Sequence, residues 1–281
     1  NWWDALNLED VKIYDSRDSL MIGVDRAHAD FALLSLLPPG DIEVDLIRLE
    51  KAKIHLFTHS GDSVININRW VNELSERFGS SEPSAKPIGL KFKTIELRQS
   101  EFFLVDLNSE PIEQGLDYAR LQFDEITANA ENFILNGSTI GIDIKTLTGK
   151  EINSGLNIRE FKTQLTYDPA FLELDNLSLK TDKSTIRDFM RLDLVGPEGY
   201  SDFLNQVKIT AKMNETKVHL SDMRLFVPDL PEIDDAIFLS GTVLGPVSEI
   251  KSDEFLLRLG EKTAIFGSFL LDGLPDFEKT Y

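Results

Sequence analysis

The feature that most constrains this chain is an alternation of apolar and polar residues that breaks and then resumes on the other parity. In "LNLEDVKIYD", Leu6 and Leu8 keep a period of two, Glu9 and Asp10 interrupt it, and Val11 and Ile13 resume out of phase. A straight strand would send the second pair to the opposite face. An extra residue bulging from the strand, or a corner, returns that pair to the face of the first.

The broken pattern recurs. Further copies are Ile47, Leu49, Ala52 and Ile54; Leu90, Phe92, Ile95 and Leu97; and Leu121, Phe123 and Ile126 with a small Ala128. Two more are Leu172, Leu174, Leu177 and Leu179, then Val218, Leu220, Met223 and Leu225. Their starts lie 31 to 51 residues apart, a looser spacing than that of a strict solenoid. Each copy offers four apolar or small side chains to one side. Polar residues such as Glu9, Asp10, Asp124, Glu125, Asp175 and Asp222 fall on the other side or at the corner. Stacked copies predict a sheet bent along a line of corners, with one apolar and one wet face.

Alternating segments at Met21 to Phe31, Thr139 to Leu147, Asn205 to Met213 and Ala264 to Leu271 read as further strands. Turn chemistry separates the strands at Pro38-Pro39-Gly40, Ser60-Gly61-Asp62, Asn136-Gly137, Gly149, Gly196-Pro197 and Gly245-Pro246. One helix is predicted in "NRWVNELSERFG", where Trp70, Leu74 and Phe78 share a face, Asn68 caps the start and Gly79 the end. A second short helix is predicted around Thr185 to Met190. The expected fold is therefore mainly β, an elongated, curved repeat sheet with one or two short helices. Residues 1–79 form a first β module with its helix near 69–78. Residues 80–87, "SSEPSAKP", are a loop, and 88–281 are an array continuing beyond the chain.

Acidic residues outnumber basic ones 48 to 29, and the net charge of -19 sets up a field that repels phosphate backbones and anionic membrane surfaces. Nucleic acid is excluded as an expected partner. The chain has no cysteine, and no apolar run approaches the roughly 20 residues that span a bilayer. As given, the chain reads as soluble. Its opening Asn1-Trp2-Trp3 and its closing "LPDFEKTY" read like the middle of something longer, with the tryptophans either an interfacial anchor or caps on the first strands.

These residues resemble the TamB and AsmA-like family of the bacterial envelope, the translocation and assembly module inner-membrane component, in its Bacteroidota type. The likeness runs from "LNLEDVKIYDSRDSLMI" and "FALLSLLPPGDIEVDLIRLEKAKIHL" through "HSGDSVININRWVNEL" to "LDYARLQFDEITANAENFILNGSTIGIDIKTLTGKE" and "SGLNIREFKTQLTYDPAFLELDNLSLKT". It is sharpest in Leu239 to Tyr281, with its Ser-Gly-x-Val-x-Gly start and Gly-Leu-Pro-Asp ending. The motifs are patterns of apolar residues and turns. The resemblance implies a folded-over sheet whose apolar interior, lined by the repeated sets, is a lipid path across the periplasm. It also implies an inner-membrane helix upstream and an outer-membrane barrel partner of the Omp85 type downstream.

Candidate chemistry is sparse. His55 and His59 are four apart, but "KIHLFTH" alternates like a strand and lacks the glutamate of the zinc-protease pattern. His28 and His219 are isolated. Asp229, Glu232, Asp234 and Asp235 lack a glycine-bearing calcium loop and read as a solvated turn. "LTGKE" lacks the upstream glycine of a phosphate loop and reads as a hairpin turn. Asn136, Asn176 and Asn214 begin glycosylation-like tripeptides that read as turn or strand residues. No nucleophile motif, metal site or cofactor is expected. The leading expectation is a non-enzymatic, periplasmic conduit for phospholipid acyl chains. A scaffold for outer-membrane protein assembly is the alternative, and a β-helix enzyme acting on polysaccharide ranks third.

Overall fold

The computed structural model describes residues 5–30, 42–70, 73, 89–194, 203–226, 228, 230–246, 248–260 and 263–273. The fold is mainly β. Thirteen strands belong to one sheet whose order follows the chain: β1 (Ala5–Tyr14), β2 (Leu20–Asp30), β3 (Ile42–Thr58), β4 (Leu90–Asp106), β5 (Arg120–Asn136), β6 (Thr139–Glu151), β7 (Asn157–Asp168), β8 (Phe171–Lys180), β9 (Thr185–Asp193), β10 (Lys208–His219), β11 (Ala236–Pro246), β12 (Glu249–Leu259) and β13 (Thr263–Asp272). Two one-turn helices, α1 (Phe203–Gln206) and α2 (Leu220–Met223), flank β10. The chain divides into two compact units, residues 1–137 with 146–157, and residues 138–145 with 158–281.

In the first unit β1–β2, β2–β3 and β4–β5 pair antiparallel, whereas β3 and β4 run parallel. A parallel pair needs a crossover, and the segment after Thr58 supplies it. Residues 66–70 in that segment are helical. The helix starts earlier than its sequence suggests: Asn68 N–H and Arg69 N–H both donate to the Ile65 carbonyl, so Asn68 lies inside the first turn instead of capping it. Asn66 explains the shift. It is 4% exposed and pins the turn to the sheet by accepting from Phe57 N–H and donating to the His55 carbonyl and Asp15 Oδ2. The predicted stripe at Leu74 and Phe78, the stop at Gly79 and the loop over 80–87 lie outside the described residues, as do Trp2 and Trp3.

In the second unit the strands from β7 to β13 pair antiparallel in sequence. Thr185 to Met190, expected as a helix, is part of β9. Pairing to β8 on one side and β10 on the other outweighs any local helical pattern. "LTGKE" is likewise strand and not a turn, forming the end of β6. A Cβ on Gly149 would lie 3.3 Å from Ile126 Cγ1, so glycine serves close approach to β5 there.

The alternation breaks where the backbone breaks. Asp10, Lys51, Gln99, Glu125, Asn176 and Glu215 all have φ between 49° and 54° within strands. Register shifts accompany the residues at 98–99, 124–125, 175–176 and 214–215. These bulges return the following side chain to the earlier face, as the pattern required.

Candidate functional site

Residues opposite one another in a sheet share a face, so register shows which repeated residues meet. In the first unit Leu8, Ala27, Leu49, Leu97 and Ala128 form one row across β1 to β5. Leu6, Ala29, Ile47, Ile95 and Ala130 form the next, and Ile13, Ile22, Ile54, Phe102 and Phe123 lie beyond the bulges. Between them run Val11, Val24, Ala52, Ser100 and Ile126. Leu121 pairs with Leu104, and Phe92 stacks on Phe133 at 5.3 Å between ring centres.

The second unit repeats the arrangement. Leu165, Leu174, Met190, Ala211 and Val243 form a row, as do Tyr167, Leu172, Leu192 and Ile209. Phe161, Leu179 and Ile186 lie past the β8 bulge, beside the buried Leu177. Thr216, Leu239, Leu257 and Ile265 complete the face toward β13.

Two sets fall elsewhere than expected. In β4 the bulge is at Arg98 and Gln99, so Ile95 and Leu97 open the repeat and Ser100 and Phe102 close it; Leu90 and Phe92 lie upstream. In β10 the bulge is at Asn214 and Glu215, so the set is Ala211, Met213, Thr216 and Val218. Leu220 and Met223 belong to α2, and Leu225 follows it. The overlooked signal was a small residue after the interruption. Ala52, Ser100 and Thr216 occupy that position and are at most 1% exposed.

Ladder groups displaced by the bulges are satisfied by hydroxyls. Ala52 N–H donates to Ser100 Oγ at 3.2 Å, Arg187 N–H to Thr216 Oγ1 at 3.2 Å, and Glu215 N–H to Ser240 Oγ at 3.1 Å. Thr163 Oγ1 donates to the Asp175 carbonyl at 2.9 Å. At Ala52, Ser100 and Thr216 the inside of the corner is therefore small, buried and bonded.

Large side chains in the rows behave differently. Leu49, Leu97, Phe123, Leu174 and Met190 are half-buried, and at edge strand β1 Leu6 and Leu8 are 45% and 44% exposed. Among the described residues the three largest fully buried side chains, Met21, Glu151 and Val207, lie off these rows. A core packed between two layers would bury its leucines and phenylalanines most deeply. Among the described residues, the leucines and phenylalanines of these rows are not sealed in that way.

The opposite face of the first unit is charged and largely paired. Arg48 bonds Glu96 at 2.7 Å and holds that carboxyl below its usual range; Arg26 pairs with Glu50, and Lys53 with Glu101 at 3.3 Å. The clefts described in the first unit open mainly among these polar residues, around Glu9, Arg26, His28, Arg48 and Glu50.

The histidines have structural surroundings. His59 Nε2 lies 2.7 Å from Asp15 Oδ2 in a turn where Arg17 and Ser19 N–H groups also donate to Asp15. Burial pushes the Asp15 carboxyl up, but donation from His59, Ser19, Arg17 and Asn66 outweighs it and holds the group at about 2. His55 packs edge-on to Phe103 at 4.5 Å, and burial pushes its imidazole down. His28 lies against Asn7 and Asp30, and His219 caps α2 beside Ser221. Asp234 is shared by Lys183 and His219, each at 3.3 Å, and Glu232 pairs with Arg224; Asp229 lies outside the described residues. No group of three or more potential metal ligands occurs among the described residues, and no described helix is long and apolar enough to cross a membrane.

Compared with protein-family models, curated proteins and solved structures, the chain matches none.

Proposed function

We propose that the apolar face is a non-enzymatic conduit for lipid tails, serving phospholipid transport between the inner and outer membranes across the periplasm. The observation that carries this reading is the run of in-register rows in which large side chains such as Leu49, Leu97, Phe123, Leu174 and Met190 stay only half-buried, while small residues such as Ala52, Ser100 and Thr216 are sealed. Moving a sixteen-carbon chain out of a bilayer into water costs on the order of 12 kcal/mol. A continuous apolar face removes most of that barrier without catalysis or a specific headgroup contact. The cellular setting rests on the resemblance of the quoted segments to the TamB and AsmA-like family.

The test is mass spectrometry of lipids that copurify with the protein. Abundant phospholipid supports the conduit. A second reading, a scaffold for outer-membrane proteins, is favoured by β13: this last strand in the sheet order carries no charge from Thr263 to Leu271 and suits strand addition. Lipid-free protein holding a tightly bound barrel partner decides for the scaffold.

A further inference from the structure

The face of the second unit opposite the apolar rows carries cations that its acids leave unpaired. Register sets Lys217, Phe238 and Arg258 side by side across β10 to β12, and Leu244, Lys251 and Leu270 across β11 to β13. Lys212 lies opposite Phe189 with Nζ 5.2 Å from the ring centre, and the Arg258 guanidinium is 5.7 Å from that of Phe238. None of Lys212, Lys217, Lys251 and Arg258 forms an ion pair with a described residue, in contrast to Arg26, Arg48 and Lys53 in the first unit. Leu256 and Phe266 face each other among these cations, with Phe266 76% and Leu270 55% exposed. The acids nearest in register are Glu215 at the β10 bulge, Asp253 and Glu254 at the β12 bulge, and Glu249 and Asp272 at the far end of β12 and β13.

We propose that this face docks on an anionic phospholipid bilayer, its cations at the headgroup phosphates and Phe266 and Leu270 entering the acyl boundary. An interface that is both negatively charged and apolar beneath rewards the two residue classes together. Nucleic acid rewards the cations and aromatics but gives the exposed leucine no partner. The net charge of -19 opposes approach from afar. At physiological ionic strength the field of distant acids fades within about 8 Å, so contact chemistry decides.

Vesicle flotation tests this, using phosphatidylcholine alone and phosphatidylcholine with about one third phosphatidylglycerol. The protein should bind the anionic vesicles at least tenfold more tightly, and added salt should release it. A Lys217→Gln, Lys251→Gln, Arg258→Gln variant should lose roughly tenfold to a hundredfold in that binding. A Lys12→Gln, Lys145→Gln, Arg159→Gln variant removes the same charge from exposed positions elsewhere and should stay within about twofold of the parent. Equal binding to both vesicles, or equal losses in the two variants, overturns the proposal. So does binding to RNA or polyglutamate with none to anionic vesicles, which points to a soluble polyanion. The conduit is judged by copurifying lipid and fails separately, because transfer into an apolar face does not require anionic headgroups or low salt.

Discussion

Lys51 shows how much a single backbone angle decides. Its φ of 51° lies in the left-handed region, which costs an ordinary side chain about 1 kcal/mol. Glycine removes that cost but frees the unfolded chain by a similar amount. Lys51→Gly should therefore leave stability within about 1 kcal/mol, while the β-branched Lys51→Val should lose more than about 1 kcal/mol; chemical denaturation of both variants checks the order. Asp15 makes a second residue-scale prediction. Its folded value of about 2 lies below the ordinary 3.8, so its stabilisation is complete above about pH 4 and is lost as pH falls toward 2. The shift is worth about 2 kcal/mol near neutrality. Asp15→Asn should lower the melting temperature at pH 7 and converge with the parent near pH 2.

At the scale of the strand, the corner is a joint with three parts: a left-handed residue, a small residue behind it and a hydroxyl that takes up a displaced ladder group. In β10 these are Glu215, Thr216 and the Thr216 hydroxyl that accepts from Arg187 N–H. Thr216→Val keeps the shape and removes the acceptor, so it should cost about 1–3 kcal/mol with faster amide exchange at Arg187. An unchanged exchange rate would show that the hydroxyl is not what holds the joint. Gly241 on β11 serves the same region of the sheet: at φ 136°, a Cβ there would come within 2.3 Å of the Glu254 carbonyl oxygen. The joint therefore limits both strands that meet at it.

For the whole molecule, the question is whether the apolar rows are a path or an ordinary core. Leu174 is half-buried in the middle of a row and has solvent within reach. Leu174→Asp should therefore fold, because a charge that can turn to water avoids the several kcal/mol of burial. Transport should fail, because the charge stands where a tail must pass. Soluble abundance and melting, measured beside outer-membrane integrity in dependent cells, separate the two effects. A folded, abundant variant that supports full integrity sinks the continuous path, and loss of the protein itself marks a packed core. Photo-crosslinkers at Leu49, Phe123 and Leu174 should capture lipid, while those at Lys51 and Glu173 should not.

The sequence by itself determined the β class and the existence of the corners, because a two-residue interruption of a period-two pattern admits few backbone solutions. Four of the six repeated interruptions fall on left-handed strand residues where the pattern puts them, at Asp10, Lys51, Glu125 and Asn176, whereas Asn132 in β5 and Asp188 in β9 carry positive φ with no such signature. The corners in β4 and β10 were hidden because Ser100 and Thr216 are polar by composition yet buried by position. Reading outward from leucines therefore set the frame five residues early in β4 and seven residues late in β10. Only the tertiary structure decided which rows meet, since register between strands far apart in sequence depends on partners that no local pattern contains. The parallel pairing of β3 with β4 and the pairing of β9 on both sides were settled the same way. The unpaired cations beside Phe266 belong to that class too. Each is an ordinary strand residue in sequence, and they become a surface only when the sheet brings β10, β12 and β13 together.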